Sequence, residues 1–444
     1  MNKRVYTEDN VKRTARPQRH RHRRRPERST GARHVRTVAL VLAVVLLALY
    51  GVSCLITASQ AHVWPLFVKK TTTVNGPAGE KVSPPGTWAT AAVLADVESG
   101  HVLYEKNAHV KLPMASVTKM LTALVVRDKM KLEDTIAASP EAAAVGEMEI
   151  GLVAGQSYTV DSLLWSLMVA SANDSAYALA LHIGGSIPGF AELMNQKARA
   201  IGAVESNFTN PHGLDEPNHY STAYDLAVIG RQLLADPVLA EMVSCSRHEI
   251  SWPGSPTPVL VVGHNEFLAA YPGANGIKTG YTQDAGMCLA ASATRDGESL
   301  VAVVLNSEHR AEDVSALFNY GFSQAEKIVL MKADEDLGRC RVSAFPRRYT
   351  DVRPDKELAV LSLKGSGDVF GVTTVVQREA RAPVEKGQKL GDIDCTLNGN
   401  PLYRQSALAT RSVDGETPPG VLAAFLWYSL CWLGRILSAP FRIL

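Results

Sequence analysis

Apolar residues follow three different rhythms along this chain. From Val38 to Ala58 they run almost unbroken and without charge. That is about twenty-one residues, enough at ~1.5 Å per residue to cross a bilayer core of roughly 30 Å. Further on, Ala91-Ala92-Val93-Leu94-Ala95-Asp96 reads as a buried strand, Ser99-Gly100 as a turn and His101-Val102-Leu103-Tyr104 as the returning strand. From Ser116 onward Val117, Met120, Leu121 and Leu124 recur at three- and four-residue spacing, with Pro113 just upstream. This predicts a helix. Val160–Met168 and Ser175–His182 are also predicted helices, separated by a break at Ser171-Ala172-Asn173-Asp174. Strands are expected at Pro258–Val262, Met287–Thr294 and Leu300–Leu305, followed by an amphipathic helix over Ala311–Phe322. Strands at both ends with helices between them predict an α+β domain whose antiparallel sheet is built from non-contiguous segments.

After residue 328 the rhythm shortens. Glu357–Leu363 and Val369–Val376 alternate between turn residues, which predicts a small all-β domain. Pro418-Pro419-Gly420 then introduces the apolar, aromatic run Val421–Gly434. It is short for a crossing and suits the membrane–water interface, with a second crossing as the competing reading. The expected division is a basic tail at 1–37, a membrane segment at 38–58 and a linker at 59–87. A main domain at 88–327, a β domain at 328–411 and a membrane-associated helix at 420–444 follow.

Charge changes the picture at one end. The first 36 residues hold thirteen Lys/Arg against three acidic residues, although the whole chain is only +2. The body is therefore mildly acidic, which argues against nucleic acid as its partner. A basic flank before the apolar run places that flank in the cytoplasm and the body outside. Ser59-Gln60-Ala61 offers small residues for cleavage, but the length of the run favours an uncleaved anchor. Six cysteines include no closely spaced ligand pair, so no metal is expected. An exported body permits a disulfide, and Cys340 with Cys395 is the first pair to test.

Ser116 and Lys119 are three residues apart on a predicted helix and share a face. A hydroxyl needs its proton taken before it attacks, and a neutral amine beside it serves. Alone, such a pair is expected by chance. Two further motifs follow in order: Ser171-Ala172-Asn173 at the helix break, and Lys278-Thr279-Gly280 opening a strand. Each alone reads as a cap or a turn. Together they form the three-part signature of serine β-lactamases and penicillin-binding proteins.

From about Trp88 to Phe322 the chain resembles the serine-type D-alanyl-D-alanine carboxypeptidases, the low-molecular-mass penicillin-binding proteins. The resemblance extends to Ala95–Tyr104, to Asn210-Pro211-His212-Gly213-Leu214, to His219–Ala227 and to Gly276–Thr282. Ala382–Gly391 is similar to that family's C-terminal β domain. The resemblance implies a β-lactamase/transpeptidase-like fold followed by a small all-β domain. It implies removal of the terminal D-Ala from peptidoglycan stem peptides through an acyl-enzyme, covalent inhibition by β-lactams, and no cofactor.

It also implies roles. Ser116 attacks; Lys119 is the first candidate for the base, lowered from about 10.4 by burial and a second cation. Lys278 is that cation, though which lysine is neutral stays open. Ser171 relays a proton to the leaving amine, and Asn173 binds the substrate amide. Lys278 and Thr279 bind the terminal carboxylate. Gly280 lets the strand approach, and the N–H groups of Ser116 and Tyr281 form the oxyanion hole. Many relatives carry His where Tyr281 stands, and some carry Arg at the place of His264, before Asn265. A β-lactamase would need a Glu base and Asp in place of Ala172; Glu147 and Glu149 are the nearest acids. A DD-endopeptidase on the same scaffold is a closer rival, and a non-catalytic wall-binding protein a more distant one.

Overall fold

The computed structural model describes residues 67–343, 348–414 and 426–431, with isolated positions at 38, 41, 42 and 45. The chain divides into two units, Pro65–Ala424 and a second made of Met1–Trp64 with Phe425–Leu444. In the second unit positions 38, 41, 42, 45 and 426–431 are helical. The tail at 1–37 and most of the expected membrane segments at 38–58 and 420–444 lie outside the described residues. Among those described, no helix is long and apolar enough to cross a membrane.

The larger unit opens with β1 (Phe67–Asn75) and then the hairpin β2 (Ala91–Asp96) and β3 (Val102–Lys106). Next come α1 (Lys119–Lys129), α2 (Val160–Met168), α3 (Asn173–Gly184), α4 (Ile187–Ala200), α5 (Ala223–Leu234) and α6 (Pro237–Ser244). The strands β4 (Ala274–Thr282), β5 (Gly286–Arg295) and β6 (Glu298–Leu305) follow, closed by α7 (Arg310–Gln324). The five strands pair antiparallel in the order β3-β2-β6-β5-β4. Both termini of the domain thus meet at the sheet centre, as the non-contiguous strand pattern required.

The unbroken apolar run of β2 has a direct cause. Alternate residues point to opposite faces of a strand. Ala91, Val93 and Ala95 enter the core under α1–α6, whereas Ala92 and Leu94 enter the core under α7. β6 repeats this with Val301, Val303 and Leu305 against Leu300, Ala302 and Val304. A sheet covered on both sides has no polar face to show. α1 is buried in the same way: every residue from Lys119 to Val126 is inside, so it is a central helix and not an amphipathic one.

The β domain comprises β7 (Ala325–Met331), β8 (Arg339–Ser343), β9 (Arg348–Pro354), β10 (Leu358–Leu363), β11 (Val369–Gln377), β12 (Glu379–Arg381), β13 (Lys389–Leu397) and β14 (Asn400–Ala409). Its seven-stranded sheet runs β1-β11-β13-β14-β9-β8-β12, with β7 pairing β10 apart from it. The β2–β3 turn seats this domain. Buried His101 uses Nδ1 on the Leu361 carbonyl at 2.7 Å and lies edge-on to Phe370.

Two expectations need correction. The segment 59–87 is not all linker, because β1 pairs with β11 from Phe67↔Gln377 to Asn75↔Val369. As an edge strand it is exposed almost throughout, so it lacks an apolar alternation; its Thr71-Thr72-Thr73 run is the only hint. Cys340 and Cys395 form no disulfide. They lie on β8 and β13 with β9 and β14 between them, and both are buried thiols in the core of the β domain. Burial pushes each thiol up to about 11.

A chain lacking residues 1–76 should expose the β11 edge. Limited proteolysis is then expected to cut within 325–414 faster than in the intact chain, while 88–324 keeps its resistance. Equal digestion of the β domain in both chains would show that β1 does not protect it.

Candidate active site

Ser116 lies on a single 3-10 turn, Ala115–Thr118, that runs into α1. The turn is tightly boxed. Ala115 has φ 48°, a left-handed conformation that a residue with a side chain seldom takes. Gly213 (φ 89°) packs so closely on it that a Cβ there would fall 1.9 Å from the Ala115 carbonyl oxygen. On the other side runs β4, the edge strand of the sheet. A Cβ on Gly280 would stand 2.9 Å from the Met114 carbonyl oxygen and 3.1 Å from the Ser116 nitrogen. Glycine is required here by close approach.

Lys119 is fully buried, and its Nζ reaches three oxygens. They are Ser116 Oγ at 2.7 Å, Asn173 Oδ1 at 2.7 Å and the His212 carbonyl at 2.8 Å. Burial holds its pKa well below the ordinary lysine value, and the charge of Lys278 adds to this; Glu147 and Asp174 oppose it. Once neutral, the amine has two N–H groups and one lone pair. The two N–H groups suit Asn173 Oδ1 and the His212 carbonyl, which leaves the lone pair toward the serine hydroxyl. That is the geometry a general base needs.

Lys278 is buried on β4, donates to the Thr279 carbonyl at 3.1 Å, and is lowered to about 7 by burial and by the Arg310 charge. Asn173 opens α3, where the Ser171–Asn173 break places it under Lys119. Ser171 has φ 60° and is buried, with no hydrogen bond to its hydroxyl among the described residues. Thr279 is half-buried, and Tyr281 is exposed, so its side chain leaves the site while its backbone stays on β4. The structure therefore brings Ser116, Lys119 and Asn173 into direct contact and sets Lys278 within reach by charge. Exposed His264 makes no hydrogen bond or ion pair among the described residues, and the buried Asn265 amide has no partner among them either.

Some contributors have no assignment from the sequence. The His212 carbonyl is the third acceptor for Lys119. Its ring is lowered to about 3, first by burial and then by the Lys119 charge, and its Nδ1 accepts from the Leu214 N–H. The imidazole is thus neutral with its proton on Nε2. His219, lowered to about 4 by burial, accepts from the Thr209 N–H at Nδ1 and so donates from Nε2 to Thr118 Oγ1 at 2.9 Å. Arg310, the first residue of α7, donates to the Gly280 and Cys288 carbonyls at 3.1 and 3.2 Å. A trans peptide points its C=O and N–H in opposite directions. Arg310 therefore fixes the Gly280–Tyr281 peptide from behind and turns the Tyr281 N–H to the open edge of β4. Asn210-Pro211-His212-Gly213 is visible in the sequence as a run without a role; Arg310 carries no local signal, since its contacts lie 22 and 30 residues away.

A serine and a buried amine boxed between a glycine-edged strand and a helix junction define a serine acyl-transfer enzyme. Known proteins agree with this class. The sequence profile described as D-alanyl-D-alanine carboxypeptidase, peptidase S11, matches residues 78–309. The D-alanyl-D-alanine carboxypeptidase DacF of Bacillus subtilis is 31% identical over 341 residues, covering 74% of this chain and 87% of its own. Among solved structures, a D-alanyl-D-alanine carboxypeptidase from Mycobacterium tuberculosis is 34% identical with a TM-score of 0.53, covering 56% of this chain and 96% of its own. Penicillin binding protein 5 from Haemophilus influenzae is 28% identical with a TM-score of 0.57, covering 75% and 100%.

The chain belongs to the peptidase S11 family of D-alanyl-D-alanine carboxypeptidases. It is a serine hydrolase of that family, which acts on peptidoglycan peptides through an acyl-enzyme and is acylated by β-lactams.

Gly280→Ala would drive a methyl group against the Ser116 N–H and the Met114 carbonyl. Acylation by benzylpenicillin, measured on the folded fraction, is expected to slow by about 10²- to 10³-fold, the usual cost of losing one oxyanion donor, and the thermal midpoint to fall because the backbone must shift to admit the methyl group. Unchanged acylation would remove the oxyanion role from this strand.

Proposed function

We propose that Ser116 is the nucleophile of a D-Ala-D-Ala carboxypeptidase and that Lys119, as the neutral amine, takes its proton. The observation that carries this reading is the three-way contact of Lys119 Nζ in a fully buried setting. Ser116 Oγ attacks the carbonyl of the penultimate D-Ala. The negative oxygen that develops is met by the N–H groups of Ser116 and Tyr281. Lys119 takes the serine proton and returns it through the Ser171 hydroxyl to the departing D-Ala amine, so that Ser171 is reprotonated as it donates and Lys119 ends neutral. Asn173 binds the amide of the acyl group, while Lys278 and Thr279 hold the terminal carboxylate, with Gly280 keeping the strand close. Water then releases the peptide from Ser116.

Hydrolysis of the acyl-enzyme is the slow step in this reading for β-lactams, because no family pattern places Glu147 or Glu149 as the water-activating base of a β-lactamase and Ala172 stands where such an enzyme would carry Asp. The catalytic body acts outside the cytoplasm, held to the cell membrane through the apolar run at 38–58. The basic tail before it stays on the inner side. Nucleic acid is not a partner of the mildly acidic body.

Mass spectrometry after penicillin treatment tests these assignments together. One acyl group on Ser116 is expected to accumulate, none in Ser116→Ala, and an N-terminus that retains residues 38–58. Label persisting in Ser116→Ala would overturn the nucleophile. Rapid turnover without an adduct would point to a β-lactamase.

The pH dependence of acylation follows from the two lysines. The rate is high where Lys119 is neutral and is lost as the pH falls through its lowered pKa. Removing the charge in Lys278→Met takes away one cause of that lowering, so the Lys119 pKa rises. The acid limb of the acylation profile should then move to higher pH, whatever the loss in overall rate. Disappearance of the acid limb would assign the titration to Lys278 itself.

A further inference from the structure

The loop 146–152 is fastened to the site by the second motif and its neighbour. The Asn173 side-chain amide donates to the Gly146 carbonyl at 3.3 Å, and the Asn173 backbone N–H donates to the Met148 carbonyl at 2.6 Å. The Asp174 carboxylate accepts the N–H groups of Ile150, Gly151 and Leu152 at 3.1, 3.0 and 3.1 Å. Glu147 lies between the two Asn173 contacts with φ 62°. Its placement is imposed by the residue that also accepts from Lys119 at 2.7 Å.

Glu147 is exposed, and its carboxylate forms no hydrogen bond or ion pair with any described residue. Its charge is nevertheless felt at Lys119, where it favours the protonated form and so opposes the base. A free carboxylate on a loop fastened to the site, working against the chemistry when the site is empty, calls for a cation that arrives with the substrate. Asn173 is the contact for the acyl group's amide. The loop beyond Asn173 therefore borders the acyl part of the peptide and not the departing D-Ala.

We propose that Glu147 selects acyl donors whose residue before D-Ala-D-Ala carries a free ammonium group. This rests on the carboxypeptidase reading of the Ser116 site and names its substrate class. The cation cancels the Glu147 charge when it binds, which removes one of the influences that keep a proton on Lys119. Binding and activation of the base are then coupled through a single carboxylate.

The test compares D-Ala release from Nα-acetyl-L-Lys-D-Ala-D-Ala and from its Nε-acetylated counterpart. The full chain is used as wild type, Glu147→Gln and Glu147→Lys. The readout is the ratio of kcat/KM for the two peptides, so a change in chemistry common to both cancels. The wild type is expected to favour the free amine by about two- to fivefold, the range of an exposed charge pair, and less at high salt. Glu147→Gln should bring the ratio near one, and Glu147→Lys should invert it. A ratio unchanged in both variants, with both peptides cleaved, overturns the proposal and leaves the carboxypeptidase reading standing. Failure of the wild type to release D-Ala from either peptide overturns both.

Discussion

Everything at this site depends on keeping one lysine dry. Moving an ammonium out of water is so costly that a buried lysine gives up its proton unless acidic partners hold it. Lys119 is offered three oxygens instead of a carboxylate: a hydroxyl, a side-chain amide and a peptide carbonyl. They orient the amine without holding its charge. Lys278 adds a second buried cation on the facing strand, itself reduced by burial and by Arg310. The result is a chain of cations from Arg310 to Lys278 to Lys119, each making the next easier to deprotonate.

The sheet serves this arrangement by leaving β4 at its edge. An edge strand has backbone groups without a strand partner, and here that free edge faces Ser116. Gly280 lets it come close, and Arg310 fixes its peptide from the rear. Glu147 shows the opposite logic on the loop fastened to Asn173, where a charge is left unmatched among the described residues. The site is thus neutralised at its floor and left anionic at its rim.

Much of this was legible in the sequence because it is local. The Ser116–Lys119 spacing, the Ser171–Asn173 break and the apolar strands β2 and β6 are set by a few neighbouring residues. The order of the three motifs added what spacing alone lacked. What stayed hidden is non-local. The His212 carbonyl is a backbone group and leaves no mark on residue identity. Arg310 acts over 22 and 30 residues. β1 gave no alternation because both its faces are exposed, and its partner lies about 300 residues away. Cys340 and Cys395 had export in favour of pairing, but sequence holds no strand order, and β9 and β14 separate them.

The pairing of β1 with β11 also sets a path for mechanical force. The chain visits the β domain at Phe67–Asn75 before it builds the catalytic sheet from Ala91, and it returns to the β domain afterwards. Tension on the chain at Phe67 is therefore borne first by the nine-residue ladder from Phe67↔Gln377 to Asn75↔Val369. It does not pass directly into β2 or the 3-10 turn that carries Ser116. The β1–β11 ladder thus acts as a strain relief for the turn that carries the serine.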